Sequence, residues 1–126
     1  MINETIFQNI FDLLEDHLPD EWQKVALYAA YTAGSFSINF HVMDSSGVYV
    51  DCYQCKSISK PKLLKLFMDI HQILEPSRKT ADGKQPWTVF TMTVDCEGNV
   101  KIHFDYEDIG NASIAYEKKW KEKYLK

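Results

Sequence analysis

Alternation of apolar and polar residues is the feature that most constrains the fold of this chain. It begins near Trp22 and continues to Cys52, broken by the segments AGS and DSSG around Gly34 and Gly47. It returns in QPWTVFTMTVDCEGNVKIHFDYEDI at residues 85–109. A period of two places successive side chains on opposite faces of a strand. The pattern therefore predicts a three-stranded meander followed later by a hairpin.

The register of the hairpin can be counted from Gly98, taken as the left-handed residue of a three-residue loop. This count places three apolar pairs on the inward face: Val94 with Val100, Met92 with Ile102, and Phe90 with Phe104. Tyr106 continues the same alternation and is predicted to be inward. Trp22 and Trp87 open strands, where large rings commonly close the edge of a core, and we expect them to pack there.

Three further segments have the periodicity of amphipathic helices. They are residues 2–18, which Pro19 stops, about residues 60–75, which end before Pro76, and a C-terminal segment capped by Asn111 that carries Tyr116, Trp120 and Tyr124. The order α-β-β-β-α-β-β-α lacks the strand–helix alternation of parallel crossovers. We therefore predict a single α+β domain over residues 1–126, with an antiparallel five-stranded sheet and helices packed mainly on one face.

Length and composition agree with one globular core. The chain has 126 residues, of which 45% are hydrophobic and 25% charged, close to the averages for soluble domains. No apolar run reaches the length of a membrane span, and the N-terminus lacks the basic start and cleavage site of a signal peptide. We therefore expect a cytoplasmic protein, and its three cysteines are expected to be reduced thiols.

Acidic and basic residues occupy separate segments of the chain. Residues 1–21 contain six carboxylates and no lysine or arginine, which gives −6. Residues 56–79 contain six basic and two acidic residues, which gives +4, and residues 95–108 return to −4. The overall charge of −4 disfavours phosphate binding, so the lysines of EKKWKEKYLK are interpreted as a solvated helix face.

No pattern of catalytic or metal-binding residues stands out. Cys52 and Cys55 have the spacing of a redox pair or half a zinc site, but they close a strand, and a second paired motif is missing. The four histidines form no H-x-H or H-x-x-x-H pair and are expected at the surface. Nucleophile and phosphate-binding signatures are also absent. We predict no enzyme activity, no cofactor and no metal.

The second face of the predicted sheet carries short polar residues, tyrosines and carboxylates. Its expected members are Ser37, Asn39, His41, Tyr49, Asp51, Tyr53, Thr91, Thr93, His103, Asp105 and Glu107. The simpler interpretation is a face that contacts water. The alternative is a surface that binds another protein, because tyrosine mixed with short polar residues is typical of adaptable binding surfaces.

Three segments in this order resemble a known family. LPDEWQKVALYAAY, the hairpin QPWTVFTMTVDCEGNVKIHFDYEDI and the terminal YEKKWKEKYL are similar to the YezG/EsaG-like immunity proteins, which are antitoxins of secreted polymorphic toxins with nuclease domains. The resemblance covers nearly the whole chain. Two features depart from it: CYQCKSIS replaces an acidic linker, and the C-terminal helix stops shortly after KYL.

The resemblance implies an immunity protein that binds its cognate nuclease toxin in the cytoplasm of the producing bacterium and blocks it without catalysis. Carboxylates can occupy positions where a nuclease would hold phosphates. On that basis we expect the partner-binding residues to be Asp105, Glu107 and Asp108, with Tyr49, Tyr53 and His103 beside them. The acidic end of the first helix, with Asp16, Asp20 and Glu21, is the second choice.

Two other functions stay open at this point. One is a targeting chaperone that delivers a secreted effector without inhibiting it. The other is a small metal-dependent hydrolase that uses Asp105, Glu107 and a histidine. No contact with nucleic acid or membrane is expected, and the chain is predicted to be a monomer or a weak homodimer.

Overall fold

The computed structural model of the chain describes residues 4–18, 21–32, 35–54, 59–79, 87–106 and 113–125. The helices are α1 (Glu4–Glu15), α2 (Lys60–Lys79) and α3 (Ser113–Tyr124). The strands are β1 (Lys24–Thr32), β2 (Ser35–Met43), β3 (Tyr49–Asp51), β4 (Val89–Asp95) and β5 (Val100–Asp105), with a 3₁₀ turn at Cys52–Gln54 after β3. The predicted order of helices and strands is confirmed.

All five strands form one antiparallel sheet in the order β3-β2-β1-β4-β5. The β4–β5 hairpin has the predicted register, with Val94 opposite Val100, Met92 opposite Ile102, and Phe90 opposite Phe104. Gly98 and Gly47 have φ angles of 90° and 81°, a conformation that costs glycine little and other residues more. The predicted turn at Gly34 lies outside the described residues.

The main core lies between one face of the sheet and helices α1 and α2. Leu27, Phe40 and Phe90 point into it from three adjacent strands, and Leu14 and Ile70 meet them from the two helices. All five are fully buried. Each side chain of this size stabilises the fold by about 1.5–3 kcal/mol through its removal from water. Burial of their apolar stripes supplies most of the stability of these helices, as is usual for helices in proteins.

Trp87 and Trp22 contact the same core, as predicted. Trp87 is buried and its ring lies 5.6 Å from that of Phe104, while the half-buried Trp22 packs against Phe11 of α1 at 6.0 Å. The prediction for Tyr106 was wrong, because its side chain is 52% exposed. The sheet ends at Asp105, whose carbonyl accepts the N–H of Thr88, so the alternation of β5 does not extend to the next residue.

Helix α3 packs on the opposite face of the sheet. Trp120 lies edge-on to Tyr28 of β1 at 5.0 Å, and its Nε1–H donates to Thr91 Oγ1 of β4 at 2.9 Å. The Nδ2 amide of Asn39 in β2 donates to Glu117 at 3.2 Å. Two helices thus lie on one face and one on the other. The expectation that the second face contacts water was wrong where α3 covers it.

Helices α1 and α2 differ from their predicted lengths at their C-terminal ends. Helix α1 is shorter than predicted and gives way to turns after Glu15, whereas α2 continues through Pro76 to Lys79. Proline removes one helical hydrogen bond. The buried stripe of Leu66, Ile70 and Leu74 holds the helix on the sheet despite that loss. No helix in the described part of the chain is long and apolar enough to cross a membrane.

His41 is buried beneath α3, so the prediction that every histidine lies at the surface was wrong for this residue. Its Nε2 atom lies 3.4 Å from Asp51 Oδ2 and its ring lies 6.2 Å from that of Trp120. Burial lowers the pKa of the His41 imidazole, although the neighbouring Asp51 opposes this shift. The folded protein therefore favours neutral His41.

The lowered pKa of His41 predicts a pH-dependent stability. Below the ordinary histidine pKa of about 6.5, the unfolded chain takes up a proton that the folded chain resists, so the free energy of unfolding falls as pH decreases. Relative to His41→Gln, which does not titrate, the wild-type Tm should drop between pH 7.5 and pH 5. Thermal melts of both proteins check this, and parallel curves would contradict it.

Candidate functional site

An open groove of about 600 Å³ lies between α1 and the β4–β5 hairpin, on the face that carries the main core. Phe7 and Phe11 of α1 form one wall, and Val100 and Ile102 of β5 lie on the other side. Because no described helix lies over β5, Val100 remains 49% exposed although it points to the core face. The groove therefore presents apolar side chains to a partner.

Carboxylates border this groove. Glu15 is among its lining residues, which include no lysine or arginine. Asp95, at the end of β4, lines this groove too, but it lies opposite Lys24 of β1 and also lines a groove on the other face. Asp12 and Asp16 are exposed on or just after the last turn of α1. Hydrogen bonds from the side chain and backbone of Asn99 lower the pKa of the Asp95 carboxyl, and the nearby Lys24 acts in the same direction. We call Asp12, Glu15 and Asp16, with the groove beside them, the acidic groove.

The acids of α1 stand at the unfavourable end of the helix. The C-terminus of a helix carries partial negative charge and is stabilised by basic residues. The last turn of α1 has no basic residue, although it contains Asp12 and Glu15. Local sequence choices that oppose the stability of an element are expected mainly at functional sites. This observation singles out the acidic groove as a candidate surface for a partner.

A second groove, of about 460 Å³, lies on the other face beside the end of α3. Two of the predicted partner-binding residues, Tyr49 and His103, line it. Lys24, Lys101 and Lys123 line it as well, together with one carboxylate, Asp95. Tyr49 and His103 therefore line the same groove, although they belong to opposite edge strands. Its mainly basic lining differs from the acidic surface that the sequence predicted.

Asp105 is half-buried at the end of β5, where its Oδ2 accepts the hydroxyl of Tyr116 in α3 at 2.6 Å. Burial, with this hydrogen bond and the negative charge of Asp105, raises the pKa of Tyr116 well above its usual value. The Asp105 carboxylate thus helps to attach α3. Glu107 and Asp108, predicted beside it, lie outside the described residues, as does Asp20.

Tyr53 lies apart from the other predicted residues. It belongs to the 3₁₀ turn after β3, and its ring stands edge-on to Phe67 of α2 at 6.2 Å. The expectation that Tyr53 shares a face with Tyr49 was wrong, because β3 ends at Asp51 and the turn redirects the chain. The predicted residues therefore do not form one continuous cluster among those that the structure describes.

Replacing Tyr116 by phenylalanine is expected to lower the free energy of unfolding by about 1–2 kcal/mol. The change removes one hydrogen bond to a charged acceptor, worth somewhat less here than in a fully buried site. Chemical denaturation of Tyr116→Phe measures the loss. Tyr53→Phe is the matched control, since that side chain is 54% exposed. Equal stability of the two variants would show that the Asp105 contact contributes little.

A Tyr–His–Glu chain is the arrangement closest to a catalytic relay. The Nε2 of His71 lies 2.6 Å from Glu75, and its Nδ1 lies 2.9 Å from the hydroxyl of Tyr31. In the tautomer that donates from Nε2 to the carboxylate, Nδ1 accepts the Tyr31 hydroxyl. Tyr31 is buried, and Phe36 stacks on the His71 ring at 3.9 Å. Because Tyr31 is buried, its hydroxyl is not accessible to a substrate. These Tyr–His–Glu contacts therefore serve to join α2 to the sheet.

Metal chemistry also finds no support in the part of the chain that the structure describes. Those residues contain no group of three or more histidine, cysteine or acidic side chains placed to hold a metal ion. Cys52 is buried and Cys96 is exposed, and both are free thiols.

Comparisons with known proteins agree with the resemblance noted in the sequence. The profile of the family described as "Immunity protein YezG-like" matches residues 3–126. The chain is 26% identical over 112 residues to "Immunity protein YezG" of Bacillus subtilis (strain 168), which covers 84% of this chain and 74% of the relative. It is 27% identical over 116 residues to "Type VII secretion system protein EsaG" of Staphylococcus aureus (strain NCTC 8325 / PS 47). This match covers 87% of this chain and 71% of the relative.

Proposed function

This chain belongs to the YezG-like family of immunity proteins, and we propose on that premise that it binds and neutralises a cognate secreted nuclease toxin. Binding takes place in the cytoplasm of the producing bacterium, before the toxin is exported, and involves no catalysis by the immunity protein. The staphylococcal relative is named a type VII secretion system protein, which supports a partner that leaves the cell.

The observation that carries the proposal is the acidic groove. A nuclease needs a basic surface to hold the phosphates of its substrate. Glu15, beside an apolar floor without lysine or arginine and next to the exposed Asp12 and Asp16, offers such a surface both opposite charge and apolar contact. Complementary charge accelerates the encounter, and desolvated apolar contacts slow dissociation.

We assign the main contact to the acidic groove, with Phe11 and Val100 as its apolar anchors. Both lie on the groove and are at least partly accessible. Asp105, Glu107, Asp108 and His103, with Tyr49, form a second contact in the proposal, to be tested separately. Tyr53, which lies apart from them, is tested on its own. Asp105→Asn suits that test because it removes the charge while leaving an oxygen that can accept the Tyr116 hydroxyl.

Titration of the purified chain into a nuclease assay of the toxin tests the proposed function. Cleavage should fall in proportion to the added chain and reach zero at a stoichiometric ratio, and the chain alone should cleave nothing. If the toxin binds but stays active, the chain is a targeting chaperone, and neutralisation as proposed here is wrong. Hydrolysis by the chain itself that disappears on chelation would favour the metal-dependent enzyme instead.

A further inference from the structure

Strand β5 forms one edge of the sheet, and its pairing with β4 determines which backbone groups point outward. Asp95 N–H donates to the Asn99 carbonyl at 3.1 Å at the start of the hairpin. In an antiparallel ladder, hydrogen-bonded and non-hydrogen-bonded pairs alternate. Lys101, His103 and Asp105 therefore direct their N–H and C=O groups to β4. Those of Val100, Ile102 and Phe104 point to the open edge, beyond which no described strand lies.

The two edges of the sheet differ in length. Strand β3, at the other edge, has three residues and passes directly into a 3₁₀ turn, whereas β5 has six residues and contains no proline. Short edge strands, prolines and bulges normally prevent pairing with another chain. Edge β5 has none of these at its outer side, and its side chains alternate regularly between apolar and polar. It does carry an edge lysine, Lys101, which would protect the edge unless a carboxylate such as Asp105 lies opposite it.

We propose that β5 pairs antiparallel with β5 of a second copy, about a two-fold axis at His103, to form a continuous ten-stranded sheet. Because only even-numbered residues offer outward backbone groups, symmetric pairing requires a centre at Ile102, His103 or Phe104. The centre at His103 places Lys101 opposite the second copy's Asp105, and Ile102 opposite its Phe104. By symmetry each of these two pairs occurs twice in the dimer. It also places Val100 opposite Tyr106.

Charge and shape favour this register over the other two. Opposite charges and aromatic–aliphatic pairs directly across a ladder are stabilising. A centre at Ile102 would place Lys101 opposite His103, with no carboxylate facing it. A centre at Phe104 would place Ile102 opposite Tyr106 and His103 opposite Asp105, and the positions opposite Lys101 and Val100 would lie outside the described residues. The exposed Val100 and Tyr106, at 49% and 52%, would cover each other only in the register centred at His103.

The dimer has a consequence for the acidic groove. The two-fold axis is perpendicular to the sheet, so both acidic grooves lie on the same face and border one another across the paired β5 strands. A toxin that contacts His103 or Asp105 would compete with the second copy for this edge. The dimer itself requires no toxin. The dimer proposal can therefore be wrong while the proposed function is right, and the proposed function can be wrong while the dimer forms.

Disulfide trapping tests the register. In a Cys55→Ser, Cys96→Ser background, two copies of His103→Cys would face each other as a non-hydrogen-bonded pair, with Cα atoms about 4.5 Å apart, which suits a disulfide. The matched control Lys101→Cys would place its two cysteines roughly 14 Å apart, beyond the reach of a disulfide. Both positions are exposed, so neither change disturbs the core.

Under mild oxidation, His103→Cys is expected to give a covalent dimer on a non-reducing gel, and Lys101→Cys is not. Trapping at neither position, or at both equally, would overturn the proposal. Sedimentation of the unmodified chain gives a second, independent readout. Lys101→Glu should raise the dimer Kd about tenfold, since two attractive pairs become repulsive, whereas the exposed Lys118→Glu in α3 should not. Sedimentation as a monomer at all concentrations would also overturn it.

Discussion

Trp120→Ala is expected to detach α3 from the sheet and to lower the free energy of unfolding by about 3–5 kcal/mol, the range for a large aromatic side chain removed from a core. Trp120 is 3% exposed and joins three strands through Tyr28, His41 and Thr91. Removing it leaves a cavity and an unpaired Thr91 hydroxyl. Chemical denaturation measures the loss, and hydrogen exchange should show α3 opening before the rest of the fold.

Two variants calibrate this result. Trp120→Phe keeps most of the buried ring but loses the hydrogen bond to Thr91, so it should cost clearly less than the alanine variant. Lys119→Ala, on the exposed side of the same helix, should stay within about 0.5 kcal/mol of wild type. A loss below about 1 kcal/mol for Trp120→Ala would contradict the packing of α3 described above.

The double variant Glu15→Lys, Asp16→Lys is expected to slow toxin association by about 10- to 1000-fold at low salt, the range over which charge complementarity changes encounter rates. The same variant should have an unchanged or higher Tm, because lysine at the C-terminal end of α1 is favoured by the helix dipole. Weaker binding together with retained stability would separate a functional role of these carboxylates from a structural one. Surface plasmon resonance with an inactivated toxin gives the rate.

Asp69→Lys, Glu122→Lys is the matched control, since it makes the same change in net charge on α2 and α3. It should slow association much less, and the difference between the two variants should shrink as salt rises, because ions screen exposed charges. Equal association rates for both double variants would show that the acidic groove has no special role beyond net charge.

The sheet was predictable from the sequence because the patterns that specify its strands and turns lie in short, continuous segments. Strand alternation marks which residues share a face, and Gly98, as the left-handed residue of the turn, determines the β4–β5 register, so the pairing of Phe90 with Phe104 follows from the sequence alone. The same reasoning failed at strand ends. Tyr53 and Tyr106 were assigned to faces by extending the alternation past Asp51 and Asp105, where the chain leaves the sheet.

The position of α3 could not be derived in the same way. The four-residue steps of Tyr116, Trp120 and Tyr124 indicate one apolar helix face, but periodicity does not say which side of the sheet receives it. Small or apolar residues on the second face of β1, Ala26, Tyr28 and Ala30, were a signal that this face is covered. Once α3 packs there, His41 and Thr91 become buried.

The candidate site was only partly visible in the sequence. The segregation of carboxylates into residues 1–21 could be seen at once, and it led to the acidic end of α1 as a second choice. The groove itself depends on how far α1 and α2 extend across the sheet, which leaves β5 uncovered, and this is a property of the tertiary packing. Phe11 and Val100 were therefore missed as binding residues, although both belong to predicted apolar stripes.

Carboxylate footprinting of the chain with and without an inactivated toxin tests the central claim most directly. Carbodiimide-driven labelling, read by mass spectrometry, reports each accessible carboxylate, including those near Asp105. Binding at the acidic groove predicts that labelling of Asp12, Glu15 and Asp16 falls in the complex, while labelling of Asp69 and Glu122 stays constant. Unchanged labelling of the α1 carboxylates in a complex that still neutralises the toxin would contradict the assignment of the acidic groove as its binding surface.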